Sequence, residues 1–191
     1  MENGHLPHYF IAVELSEGLK KWLALQQSKL QLTIGHNTYK SWTAEADFHI
    51  TLAFLGALPA QQIEQLMTCM RKQESLLSDT VCIADLHFFG NATGPRVVWF
   101  GIAEEQKIMT FYSIVQKWLS NLKSPPINQS FQPHITIAKK CQKKWLTPLV
   151  LRKLDDHFSD CYSEHLKAIC LYSIDMMSVP KYKCVYRLPL K

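Results

Sequence analysis

Two histidines and two threonines in this chain stand in a pattern suited to moving protons around an anion. His49-Ile50-Thr51-Leu52-Ala53 and His134-Ile135-Thr136-Ile137-Ala138 are the same five residues apart from one Leu-for-Ile exchange. Apolar and β-branched neighbours make each copy read as a buried strand. Successive side chains on a strand turn to opposite faces, so the His and Thr of each copy share one face and the isoleucine between them points into a core. Two such strands side by side would present two imidazoles and two hydroxyls to one cleft. Imidazole titrates near neutrality, so one ring can accept a proton while the other donates one. In-line displacement at phosphorus needs that pair, a base on the attacking water and an acid on the departing oxygen. The Thr51 and Thr136 hydroxyls can donate to the non-bridging oxygens, where charge builds, and Lys139 can add positive charge there, with Lys140 behind it. One His-x-Thr would carry little, because so short a motif recurs by chance. The matched phrase and its matched surroundings carry the inference.

Those surroundings also repeat. Residues 9–15 (YFIAVEL) predict a central strand. Ser16 is a predicted N-cap, with Glu17 in the first turn and Leu19, Trp22, Leu23 and Leu30 at helical spacing to about residue 30. After a short extended piece at Trp42, residues 48–55 form the first motif strand, ended by Gly56 and Pro59. A helix follows, with Ile63, Leu66, Met67 and Met70 as its buried stripe. Residues 80–89 read as a strand and residues 91–95 as a turn. The order then restarts: a strand over 96–102, a helix over 104–122 with Ile108, Phe111, Val115, Leu119 and Leu122 inside, a stop at Pro125-Pro126, and the second motif strand over 131–138. The step from Phe10 to His49 nearly matches that from Val98 to His134, which is an internal duplication of architecture. Residues 139–144 read as a basic loop, 145–158 show no clean period, and 166–176 and 183–188 predict two strands. The expectation is an α+β fold, one domain over residues 1–191, with two pseudo-symmetric antiparallel or mixed sheets around a central cleft and helices on the outer faces.

Composition narrows the function classes. With 47% hydrophobic and 19% charged residues the chain reads as an ordinary globular protein. No apolar run approaches the ~18 residues of a spanning helix, and the first residues lack the order of a signal peptide. The expected location is therefore the cytoplasm, as a monomer and away from membranes. Six cysteines without a C-x-x-C pair read as reduced thiols. A formal charge of +5 tilts towards an anionic partner, short of a dedicated nucleic-acid binder. Trp42 and Phe131 are candidates to stack on a base, and Arg96 to face the cleft. His5, His8, His36, His87, His157 and His165 have no motif around them. Nothing here spells H-E-x-x-H, a P-loop or G-x-G-x-x-G, so no metal or other cofactor is expected.

The paired motifs, Phe131-Gln132-Pro133 before the second, Phe54-Leu55-Gly56 after the first, the opening YFIAVEL and residues 96–101 (RVVWFG) together resemble the two-histidine (2H) phosphodiesterase superfamily. Within it the chain is similar to the LigT-like RNA 2′,3′-cyclic phosphodiesterases, also called the 2′-5′ RNA ligase family. The resemblance covers residues 9–139 and is vague after residue 144. It implies a bilobal fold and metal-independent opening of 2′,3′-cyclic phosphates on RNA or nucleotide ends to 2′-phosphates. It carries catalytic roles to His49 and His134 and phosphate contacts to Thr51 and Thr136. Relatives often have arginine where this chain has Lys139, which keeps the charge and loses the bidentate fork. It suggests His134 as base and His49 as acid, an order that the pseudo-symmetry of the site allows to be reversed. The same residues could instead cleave or reversibly join 2′-5′ linkages, or bind a nucleotide or RNA end without turnover.

Overall fold

The computed structural model describes residues 6–122 and 131–191, so His5 and the Pro125-Pro126 stop lie outside the described residues. Nine strands and four helices occur among the described residues. The strands are β1 (His8–Glu14), β2 (Tyr39–Trp42), β3 (His49–Ala57), β4 (Thr80–Gly90), β5 (Pro95–Ile102), β6 (Ile135–Cys141), β7 (Tyr162–His165), β8 (Ala168–Ile174) and β9 (Tyr182–Pro189). The helices are α1 (Glu17–Ile34), α2 (Ala60–Lys72), α3 (Glu105–Asn121) and α4 (Pro148–His157). Two antiparallel sheets result, in the orders β3-β1-β8-β9 and β2-β6-β5-β4-β7. The α+β class and the paired sheets are as expected.

Local chemistry explains most boundaries. Ser16 is extended and its hydroxyl accepts from the Leu19 N–H at 3.1 Å, capping α1. That hydroxyl also donates to the Glu164 carboxylate at 2.8 Å, so the cap is tied to β7. Leu19, Leu23 and Leu30 are fully buried, each removing enough apolar surface to contribute about 1.5–3 kcal/mol. The α2 stripe Ile63, Leu66, Met67 and Met70 is buried as the spacing requires, and so are Ile108, Phe111, Val115 and Leu119 of α3 with Leu122 just past its end.

The two motif strands hold equivalent places. Each lies beside the strand that opens its half, β3 beside β1 and β6 beside β5, followed by two further strands. The halves nevertheless interleave. β8 and β9, from the end of the chain, complete the first sheet, while β2 and β4 from the first half join the second. Helices cross over too: α3 packs on β3 and α2 on β9, whereas α1 meets β7 and α4 meets β4. Trp22 of α1 packs on Phe100 of β5 with ring centroids 5.3 Å apart.

Several expectations are corrected. Residues 139–144 are not a basic loop throughout, because β6 continues to Cys141 with β2 on one side and β5 on the other. The second motif strand begins at Ile135, not at Phe131. β3 runs on through Gly56, whose φ of +68° sits at a register shift against β1. Residues 148–157 are helical, capped by the Thr147 hydroxyl with Pro148 in the first turn. The six cysteines do not all stand apart, since Cys82 of β4 and Cys161 before β7 meet with Cα atoms 5.9 Å apart. The β4–β7 pairing that brings them together joins positions 79 residues apart, which no local spacing encodes. Among the described residues, no helix is long and apolar enough to cross a membrane.

Candidate active site

Burial along the two motifs alternates as a strand face demands. Ile50 and Ile135 are wholly buried in the core, while His49, Thr51, His134 and Thr136 are half-buried on the other face. β3 and β6 approach each other from the two sheets, and these four residues with Lys139 line a single cavity of about 100 Å³. All five residues singled out by sequence therefore come together. The same cavity is lined by Phe54 and by Thr43, Asp47 and Tyr182, the last three marked by no motif.

Each imidazole is oriented in the same way. His49 Nδ1 lies 2.7 Å from the carbonyl of Asp47, and His134 Nδ1 lies 2.8 Å from the carbonyl of Gln132. A carbonyl can only accept, so Nδ1 carries the hydrogen in both rings and Nε2 of the neutral ring is left as an acceptor. Two aromatic rings hold each imidazole in place. Phe10 and Tyr182 flank His49 at 4.8 and 5.2 Å between centroids. Phe89 and Trp99 flank His134 at 5.3 and 5.5 Å. In both cases one ring comes from the strand paired with the motif strand, Phe10 from β1 and Trp99 from β5.

The threonines differ. The Thr51 hydroxyl is 2.8 Å from His49 Nε2 and donates to it while the ring is neutral. The Thr136 hydroxyl has no such partner among the described residues, and its carbonyl accepts from the Thr43 hydroxyl at 2.9 Å. Gln27 of α1 reaches the carbonyls of Thr43 and Ile137 at 2.9 and 3.0 Å, fixing β6 beside residue 43. Asp47 is almost fully buried, and its carboxylate accepts from the Lys181 N–H at 3.0 Å. That bond pins the start of β9, and with it Tyr182, to the turn that holds His49.

Electrostatics favour an anion here. Burial pulls the His49 pKa down to about 4; its bond to Asp47 opposes this, while the nearby His134 and Lys139 add to it. His134 is lowered too, chiefly by burial. Lys139 is lowered by burial, then by Lys181 and Lys140, with Asp47 acting in the other direction. The free site thus holds a neutral His49 at pH 7, and a bound anion would reverse the repulsions that help keep it so. Sulfate, which does not titrate near pH 7, is expected to bind with uptake of up to one proton. Calorimetry in buffers of different ionisation enthalpy reads this directly, and zero uptake would mean that His49 stays neutral opposite the anion.

A second cavity of about 220 Å³ adjoins the first and shares Thr51, Phe54 and His134 with it. Phe131 lines it, stacked on Tyr112 with centroids 4.2 Å apart and planes 4° from parallel. The other residues considered from sequence stand elsewhere. Trp42 stacks on His36 and donates to its carbonyl, and lines neither cavity. Arg96 is exposed on β5 and Lys140 is exposed with φ +65°. His87 packs on Trp99, and His165 bonds to Ser78 and Thr80. Among the described residues, no group of three or more His, Cys, Asp or Glu side chains is arranged to hold a metal ion.

Comparison with known proteins supplies a family. The model described as the AKAP7 2′5′ RNA ligase-like domain matches residues 7–190. An RNA 2′,3′-cyclic phosphodiesterase of Geobacillus stearothermophilus is 32% identical over 185 residues, 96% of this chain and 57% of that protein. The chain thus spans little more than half of that relative. A protein of the same name from Bacillus subtilis (strain 168) is 25% identical over 190 residues, 96% of this chain and 97% of the relative. In fold, the chain is similar to E. coli LigT solved with 3′-AMP, with a TM-score of 0.78 at 18% identity over 97% of this chain and 99% of that one. It is similar to the same degree to TT0787 of Thermus thermophilus, at a TM-score of 0.76, 18% identity, 96% of this chain and 97% of that one.

Proposed function

The chain belongs to the AKAP7 2′5′ RNA ligase-like domain family, and from that premise we propose that it is a cyclic phosphodiesterase opening 2′,3′-cyclic phosphates at RNA or nucleotide ends to 2′-phosphates. The names of its curated relatives favour that reaction. The observation that carries the reading at this site is that two imidazoles, each locked with Nδ1 as donor, line one cavity beside two hydroxyls and an ammonium. Proton transfer on both sides of phosphorus requires that arrangement, and a site built only for binding does not.

In the proposed step, His134 Nε2 takes a proton from water as the water oxygen attacks phosphorus. The P–O3′ bond breaks, and His49 delivers the proton it gained on substrate binding to the departing O3′. A proton held where burial disfavours it is readily given up as charge develops on that oxygen. Thr51, Thr136 and Lys139 face the non-bridging oxygens and meet the charge that grows there. The whole chain is the working unit, since each sheet contributes one histidine, and it acts on a soluble nucleotide or RNA end as a monomer in the cytoplasm.

Product analysis tests this. A short RNA ending in a 2′,3′-cyclic phosphate, incubated with the protein and EDTA, is expected to yield the 2′-phosphate. Recovery of the 3′-phosphate would reverse the regiochemistry, and tight binding without product would leave a binding module. Thr51→Val and Thr136→Val each remove one hydroxyl at constant volume. Each is expected to lower kcat/KM by roughly tenfold, the scale of one lost hydrogen bond to a charged group. The Thr51 variant should also shift the pH profile, because its hydroxyl engages His49. Unchanged kcat/KM would demote the hydroxyls.

A further inference from the structure

The cavity of the two histidines carries a negative charge that the proposed chemistry does not use. Asp47 lines it with His49, His134 and Lys139, and is almost fully buried. Its carboxylate accepts from the backbone N–H of Lys181, a neutral donor, and among the described residues it forms no ion pair. Two other residues of the cavity wall respond to its charge. Burial raises the Tyr182 pKa and Asp47 raises it further, while at Lys139 Asp47 opposes the lowering caused by burial, Lys181 and Lys140. The carboxylate thus stands within electrostatic range of the space where an anion would sit, and there it works against anion binding. Anchoring the start of β9 does not call for that charge, since an amide oxygen accepts from an N–H equally well.

We propose that Asp47 makes the site discriminate against the doubly charged product relative to the singly charged cyclic phosphate, and so favours product release. The proposal rests on the phosphodiesterase reading above, since that reading puts the phosphate in this cavity. Ring opening turns a phosphodiester into a phosphomonoester. The diester carries one negative charge. The monoester, with a second pKa near ~6, carries about −1.5 to −2 at pH 7. A cavity lined only by imidazoles and an ammonium would therefore hold product more tightly than substrate, and turnover would stall on release. Repulsion from a fixed carboxylate grows with the charge of the ligand, so the second charge meets a penalty that the substrate does not. Lys139 and the histidines then attract the phosphate, and Asp47 limits how strongly the extra charge is rewarded.

Binding of adenosine 2′-phosphate and adenosine 2′-sulfate, read by calorimetry at one slightly alkaline pH and without turnover, tests this. The two esters share a shape, but the sulfate ester stays singly charged. Wild type is expected to bind the phosphate at most roughly threefold more tightly than the sulfate, because Asp47 offsets the pull on the second charge. Asp47→Asn keeps an acceptor for the Lys181 N–H and removes the charge. In that variant the preference for the phosphate should grow by roughly tenfold, the scale of one further charge interaction across several ångströms of partly solvated site. In turnover, the inhibition constant of adenosine 2′-phosphate should fall by the same factor relative to KM for the 2′,3′-cyclic nucleotide. The same phosphate-to-sulfate ratio in wild type and Asp47→Asn would overturn the proposal and leave Asp47 only its anchoring task. A wild type that already prefers the phosphate tenfold or more, or that binds neither ester, would overturn it even if Asp47→Asn failed to fold. If wild type opens no 2′,3′-cyclic nucleotide, the reaction assignment falls, while the comparison of the two esters still decides whether Asp47 discriminates by charge.

Discussion

Replacing either His49 or His134 by alanine is expected to lower kcat on a 2′,3′-cyclic nucleotide by ~10²–10⁴-fold, the range for a positioned general acid or base. Each ring is held by one backbone carbonyl and two aromatic neighbours and is only half-buried. Its loss should therefore remove the working nitrogen and leave the fold, to be checked by an unchanged circular dichroism spectrum. The two variants separate on a substrate in which the 3′ bridging oxygen is sulfur. A thiolate leaves without needing a proton, so His49→Ala should regain most of its rate there and His134→Ala should not. The opposite pattern would exchange the two roles. Near-wild-type turnover by either variant on the oxygen substrate would take that residue out of the mechanism.

The motif face was legible from sequence because both copies obey the same period-two rule, and that rule depends on nothing distant. Ile50 and Ile135 are buried and the His and Thr beside them are not, as alternation alone requires. The Ser16 cap and the α2 and α3 stripes were readable for the same reason, being fixed within a few residues of themselves. What escaped depends on long-range placement. Tyr182 reaches His49 because β9 completes the first sheet from the far end of the chain, and Asp47 secures it through Lys181. Lys139 lies in a strand because β2 and β5 bond to both sides of β6, which the surrounding lysines disguised as a loop. β7 is four residues long and too polar to show a period, so the Cys82–Cys161 meeting went unseen. α4 did carry a start signal, Thr147-Pro148, but the helix is ten residues long and buries only Leu154.

The proposed reaction asks Lys139 to stabilise charge while the two histidines move protons. Lys139 lines the cavity of the two histidines, close to Asp47 and with Lys140 and Lys181 nearby. Lys139→Met keeps the apolar stem and removes the charge. The loss of one preorganised donor to a developing oxyanion is worth about 10²–10³ in kcat, and the variant is expected to fall in that range. A second readout follows from the same geometry. Lys139 helps to hold the His49 pKa down, so removing its charge should move the His49 titration to higher pH. The limb of the rate profile that reports His49 should move in the same direction. Lys139→Arg should keep most of the rate, within about tenfold, since the charge stays and a guanidinium can grip two oxygens at once. The cavity around it is small, so an Arg variant that fails while binding sulfate normally would show that the compact ammonium is required by shape. A Met variant with wild-type kcat/KM would remove Lys139 from the site. If its rate falls but the His49 titration does not move, the lysine acts on the phosphate and leaves the histidine untouched.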